Sequence, residues 1–167
     1  MLSTQLSPTD ISSEELRALC LECGADDVGF VEIERPALAG ERPHIEAALA
    51  GTRTLISVVL RTNKEPIRTP KRSMANLEFH HVGDQVNEVS RKIVRRLEAL
   101  GIRALNPAMG FPMEMDQYPN RTWIIEHKSV AQEAGMGVMG IHRLVIHPRF
   151  GNFILLGTVL VDAAIDV

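Results

Sequence analysis

Aromatic side chains are scarce in this chain, with one tryptophan, one tyrosine and five phenylalanines among 167 residues. Proteins that bind single-stranded nucleic acid stack bases on aromatic rings, so this composition argues against that partner. An excess of charge of one sign is also missing. Eighteen basic and 21 acidic residues leave a net charge of -3, which offers no general attraction to a polyanion. No apolar run approaches the roughly 20 residues that a membrane helix needs. The longest, residues 153–161, contains Gly157 and Thr158 and fits a buried strand. The start, MLSTQLSPTDISSEEL, lacks a basic cluster followed by an apolar segment. A secretory signal is therefore not expected, and the expected location is cytoplasmic.

Cysteine is nearly absent. Both cysteines fall in Cys20-Leu-Glu-Cys23. A thioredoxin-like pair sits at a helix start, where the dipole lowers the thiol pKa. Here the pair falls at the end of an expected helix, where the dipole has the opposite sign. A zinc site needs more ligands, and there is no second CxxC. Two ordinary reduced thiols are expected. The chain has no GxSxG turn to present a serine nucleophile. Its six histidines do not form a metal set by spacing. His142 and His147, on a shared strand, would point to opposite faces, while His80 and Asp84 on one helix face supply only two ligands.

What is present is an ordinary globular composition, 45% hydrophobic and 23% charged, at a length suited to one domain. Residues 1–11 read as a flexible leader and 12–167 as a single α+β domain. Ser12-Ser-Glu-Glu15 predicts a capping box opening a helix to about Cys23, with Gly24 as its stop. Residues 27–33 read as a strand and 43–50 as a short helix with Pro43 near its first position. Residues 54–61, β-branched and apolar on both faces, predict a central strand. Residues 62–71, with Pro66 and Pro70, read as a surface loop. Val82, Val86, Val89, Ile93, Leu97 and Leu100 place an apolar stripe on a helix from about Met74 to Leu100, closed by Gly101. Arg91, Lys92, Arg95 and Arg96 read as its solvated face. A short strand at 102–105 leads into a long loop at 106–120, then a helix at 126–134. Residues 143–147 and 152–161 read as a hairpin-like strand pair joined by Pro148-Arg-Phe-Gly151. Helices and strands mix without regular βαβ alternation, which predicts an α+β layered domain with a mixed sheet and flanking helices.

The segment HKSVAQEAGMGVMGIHRLVIHPRFGNFILLGTVLV carries the sharpest local signal. Gly135, Met136, Gly137, Val138, Met139 and Gly140 match GxGxxG. A dinucleotide loop of that pattern must follow a strand and open a helix. Here a helix precedes the glycines and a β-branched run follows them, so Gly135 reads as the left-handed residue that ends a helix. Asp162 occupies the spacing of a ribose-binding acid, but Pro148 and Gly151 prevent a helix between. The glycines are instead expected to let backbone approach a broad, flat ligand. Met109, Met113, Met115, Met136 and Met139 either line an adaptable apolar surface or fill core gaps.

AQEAGMGVMGIHRLVIHPRFGNFILLGTVLVD resembles the AGLGxxGK-x-x-LLI-x-P-x-FG-S segment of epoxyqueuosine reductases and their reductive-dehalogenase-like relatives. The order of a GADDVGFVEI strand, a TLISVVL strand and a long helix carrying Phe79-His80 is similar too. The resemblance implies the nitroreductase-like, corrinoid-binding domain of those iron–sulfur proteins, with cobalamin near residues 135–140. It also implies electrons from a ferredoxin-like donor holding [4Fe-4S] clusters, in cis or in trans. The CxxCxxCxxxCP run of that module does not occur through Val167. The family's proton-donating aspartate aligns with Arg121, which cannot donate a proton usefully near neutral pH. Arg121 and His127 are therefore the polar candidates beside the ligand. The alternatives are an FMN-binding nitroreductase-like enzyme and a non-catalytic interaction or scaffold domain.

Overall fold

The computed structural model describes residues 11–110, 114–121 and 123–165. Most of the expected leader, residues 1–10, and Met113 lie outside these residues. Ile11 packs against the core.

Helix α1 (Ser13–Glu22) opens on the expected capping box. The Ser12 hydroxyl accepts from the Glu15 N–H, and the Glu15 carboxylate accepts from the Ser12 N–H. These bonds satisfy amides that a helix start otherwise leaves unpaired. Strand β1 (Asp27–Glu32) follows, then α2 (Arg42–Ala48), with proline in its first turn. Strand β2 (Thr54–Arg61) is buried from Thr54 to Leu60. Helix α3 (Lys64–Arg68) replaces the expected loop. Pro66 is tolerated because it lies in the first turn, where its missing N–H has no intrahelical acceptor to lose. The long helix α4 (Arg72–Ala99) buries Val82, Val86, Val89, Ile93 and Leu97 of the stripe read from the sequence, while Leu100, just past its end, is exposed. Strand β3 (Ala104–Leu105), α5 (His127–Glu133), β4 (Val138–Met139), β5 (Val145–Ile146) and β6 (Ile154–Val161) complete the order.

The main sheet runs β1-β2-β6-β3. Its α+β layering follows the expectation, but all three of its pairings are antiparallel rather than mixed. The cause is visible at the β1–β2 crossing. Glu32, the last residue of β1, pairs with Thr54, the first of β2, so the excursion through α2 returns to the end of the sheet that it left. Alternation then sorts the side chains between two layers. Ile56, Val58, Leu60, Val159 and Val161 face α1 and α4, while Leu55 and Leu160 face α2 and α5. Full burial of each such side chain contributes about 1.5–3 kcal/mol.

The expected pairing of 143–147 with 152–161 does not form. Strand β2 takes one edge of β6 along its whole length, β3 takes the other only at Leu160 and Val161, and the connection from β5 is reduced to a single bridge, His147 with Gly151. Strand β5 pairs backwards with β4 in a separate two-stranded ribbon. Among the described residues, no helix is long and apolar enough to cross a membrane.

Candidate functional site

A cavity of about 520 Å³ lies beside the start of β6, between α4 and α5, within the range of ligand pockets, roughly 300–1,000 Å³. Its floor is the start of β6, Ile154 to Leu156. Leu144 and Val145, at β5, form one wall, and Phe79 and His80 of α4 form another. The first residues of α5 and the preceding loop, including Met109 and Trp123, close it. The lining is mainly apolar, with a few polar groups converging from Glu126, His127 and Lys128.

His127 is the buried polar member of that wall. Its Nδ1 lies 2.8 Å from the Thr158 hydroxyl and its Nε2 lies 3.3 Å from the Ala108 carbonyl. A carbonyl only accepts, so Nε2 carries the hydrogen and Nδ1 accepts from Thr158. Burial pushes the His127 pKa below the usual histidine value, against smaller opposing effects of the Ala108 carbonyl and the Glu41 carboxylate. The site therefore presents a neutral imidazole.

Lys128 Nζ donates to the Arg143 carbonyl at 2.9 Å and ties the turn between β4 and β5 to the start of α5. Arg143 itself adopts a left-handed backbone, φ 60°. Arg121, the other sequence candidate, is not brought to the cavity. Its guanidinium pairs with Glu41 at 2.7 Å and also donates to the Trp123 and Ile124 carbonyls. The same Glu41 oxygen accepts from the Glu126 N–H at 3.3 Å. Arg121 and Glu41 thus clamp the loop before α5 onto the entrance of α2.

The glycine segment stands behind β5, and none of its six residues lines the cavity. Gly135, φ 80°, ends α5 in a Schellman motif, with the Gly135 N–H on the Gln132 carbonyl and the Met136 N–H on the Ala131 carbonyl. Gly137 packs its Cα side onto the Ile146 carbonyl so closely that a Cβ has no room. Both glycines thus have internal structural reasons. Among the described residues of the expected methionine surface, only Met109 lines the cavity. Met136 is buried beneath the ribbon, and Met115 and Met139 are exposed. The cysteines lie buried between α1 and the sheet, and burial, with Cys23 adding to it, pushes the Cys20 thiol up to about 12. Thr158 was not singled out from sequence as a site residue. Its one signal was a hydroxyl inside the apolar run ILLGTVLV.

No family model and no curated protein matches this chain. Solved structures do. The epoxyqueuosine reductase from Streptococcus thermophilus matches 92% of this chain and 46% of its own, at 17% identity and a TM-score of 0.58. A reductive dehalogenase described with a mechanism for B12-dependent dehalogenation matches 96% of this chain and 21% of its own, at 14% identity and a TM-score of 0.69. A catabolic reductive dehalogenase matches 95% of this chain and 21% of its own, at 14% identity and a TM-score of 0.69. The chain spans less than half the length of each of these proteins. The resemblance read from the glycine segment is thus met by the backbone, and the chain has the fold that epoxyqueuosine reductases and reductive dehalogenases share.

Proposed function

We propose that this chain is a corrinoid-binding domain of a reductase of the epoxyqueuosine reductase or reductive dehalogenase type. The observation that carries the reading is the cavity beneath α5, within a fold shared with a B12-dependent protein. A corrinoid has broad apolar faces and a rim of amide groups. Ile154, Leu156, Val145 and Leu144 supply apolar wall, and His127 supplies a fixed donor suited to an amide oxygen. When bound, the corrinoid supplies cobalt-centred electron transfer to the substrate. The chain's own residues shelter that ligand from water and hold one neutral donor against it. Ribbon β4–β5, backed by the glycine turn, keeps Leu144 and Val145 in the wall.

Iron–sulfur clusters do not fit this chain. A [4Fe-4S] cluster takes four thiolates, whereas only Cys20 and Cys23 are present and both are buried away from the cavity. Electrons would come from a ferredoxin-like donor outside these residues. The FMN alternative requires a cation for the phosphate; Arg121 is paired with Glu41, which leaves Lys128 as the cation in the cavity lining.

The test is an anaerobic titration of the purified protein with cob(II)alamin, followed by visible absorbance. A saturable spectral change at micromolar cobalamin supports the proposal. No change up to high micromolar concentrations overturns it, as does a yellow protein purified with stoichiometric FMN.

A further inference from the structure

Glu126, His127 and Lys128 enter the cavity lining in succession, and each is tied to a different part of the fold. The Glu126 N–H donates to Glu41 at the entrance of α2. The His127 ring is held between Thr158 of β6 and the Ala108 carbonyl. Lys128 Nζ donates to the Arg143 carbonyl in the turn between β4 and β5. The two charged residues are thus placed before any ligand arrives, which lowers the cost of binding one.

Their charges are not neutralised. Among the described residues, the Glu126 carboxylate makes no ion pair or hydrogen bond, and Lys128 meets only a neutral carbonyl. An ammonium has three donors, so two remain. Nor do the two residues pair with each other. Glu126 is the N-cap of α5 and Lys128 its second residue, and side chains two apart on a helix do not face one another. The cavity therefore holds one anion and one cation, kept apart, opposite an apolar surface made by Phe79, Leu144, Ile154 and Leu156. Phe79 and Leu144 are still exposed, so apolar contact is on offer there.

Both charged residues are half-buried and open to water. A ligand that fills the cavity takes that water away. An ion buried without a partner is strongly disfavoured, and an opposite charge on the ligand offsets the cost. A purely apolar ligand strands both ions. An acid strands Glu126, and an amine strands Lys128. A ligand bearing both signs meets both.

We infer that the cavity takes a zwitterion, an α-amino acid with a large apolar side chain. Its carboxylate meets Lys128, its ammonium meets Glu126 and its side chain packs on Phe79 and Leu144. The inference rests on the ligand-binding reading of this cavity and names the substrate class taken there.

Calorimetric titration of the full chain near neutral pH compares three ligands with one apolar body: free phenylalanine, phenylpropanoate and phenylethylamine. Phenylalanine is expected to bind at least about tenfold more tightly than either singly charged ligand. K128M is expected to lose the advantage over phenylethylamine and keep the one over phenylpropanoate. E126Q is expected to do the reverse, and K128R to keep the wild-type order. A general loss of structure cannot produce these opposite responses. Phenylalanine binding no tighter than the singly charged ligands overturns the inference, as do variants that leave the order unchanged. So does the absence of phenylalanine binding at millimolar concentration. Cobalamin titration of the same samples separates the two readings. Cobalamin binding without a zwitterion preference overturns this inference alone, whereas a zwitterion preference without cobalamin binding overturns the corrinoid proposal alone.

Discussion

His147 Nε2 lies 2.7 Å from Asp27 Oδ2, joining residues 120 positions apart in the chain. His147 Nδ1 accepts the N–H groups of Arg149 and Phe150, so the hydrogen on Nε2 is donated to the carboxylate. Asp27 also takes the Arg17 guanidinium at 2.6 Å. The turn before β6 is thereby fastened to the start of β1, and the cavity floor is fixed relative to the sheet edge.

Replacing Asp27 breaks this fastening. D27A is expected to destabilise the protein by about 2–4 kcal/mol, because it strands a buried histidine and an arginine. Burial alone would raise the Asp27 pKa, but the hydrogen bonds from His147, Arg17 and the Val28 N–H together hold it below 3.8. The folded value is depressed, so this contribution is complete above about pH 3.8 and is lost as pH falls through the folded value. Urea midpoints measured between pH 5 and pH 2 are expected to fall less steeply in D27N than in the wild type.

His127 acts in a separate window. Burial holds its folded pKa below 6.5. Its contribution is therefore full above about pH 6.5 and declines as pH falls toward and through the folded value. Denaturation midpoints between pH 8 and pH 5 are expected to drop in the wild type. H127Q is expected to be less stable at pH 8 and flatter across this range. An equally steep slope in H127Q would contradict the neutral, buried imidazole.

Arg121 holds a loop rather than facing the cavity. R121A is expected to cost about 1–3 kcal/mol in chemical denaturation, since it leaves Glu41 partly buried and unpaired. Cobalamin affinity, measured well below the denaturation temperature, is expected to change by less than about threefold, a shift under 1 kcal/mol. A loss of affinity far larger than the loss of stability would return Arg121 to the ligand.

The glycine segment makes its own test. A Cβ at Gly137 meets the Ile146 carbonyl and the Val145 side chain. G137A is expected to destabilise the ribbon by about 1–3 kcal/mol, the range of overpacking. At Gly135 the left-handed backbone makes alanine cost about 1–2 kcal/mol. Thermal unfolding of both variants measures these losses.

Much of this frame was legible from local signals. The Ser12–Glu15 capping box, the Val82-to-Leu97 stripe and the Gly135 helix stop are short-range patterns, and each appears where it was read. Two features were not read from local patterns. Strand β5 pairs with β4 rather than with β6, and residues 64–68 are helical with Pro66 tolerated in the first turn. The site was harder still. His127 stood out as a polar group near the glycine segment, but its partners Thr158 and Ala108 are 31 and 19 residues away. Arg121 was placed beside the ligand by alignment alone, and the Glu41 carboxylate that claims it lies 80 residues upstream.

Cobalamin binding at the cavity tests the central claim most directly. Leu144 lines the cavity and is 41% exposed, so L144W narrows the site with little demand on the core. Calorimetric titration with cob(II)alamin is expected to show one site on the wild type and at least about tenfold weaker binding to L144W, a difference of 1.4 kcal/mol. No binding to the wild type, or equal binding to both proteins, would contradict a corrinoid site beneath α5.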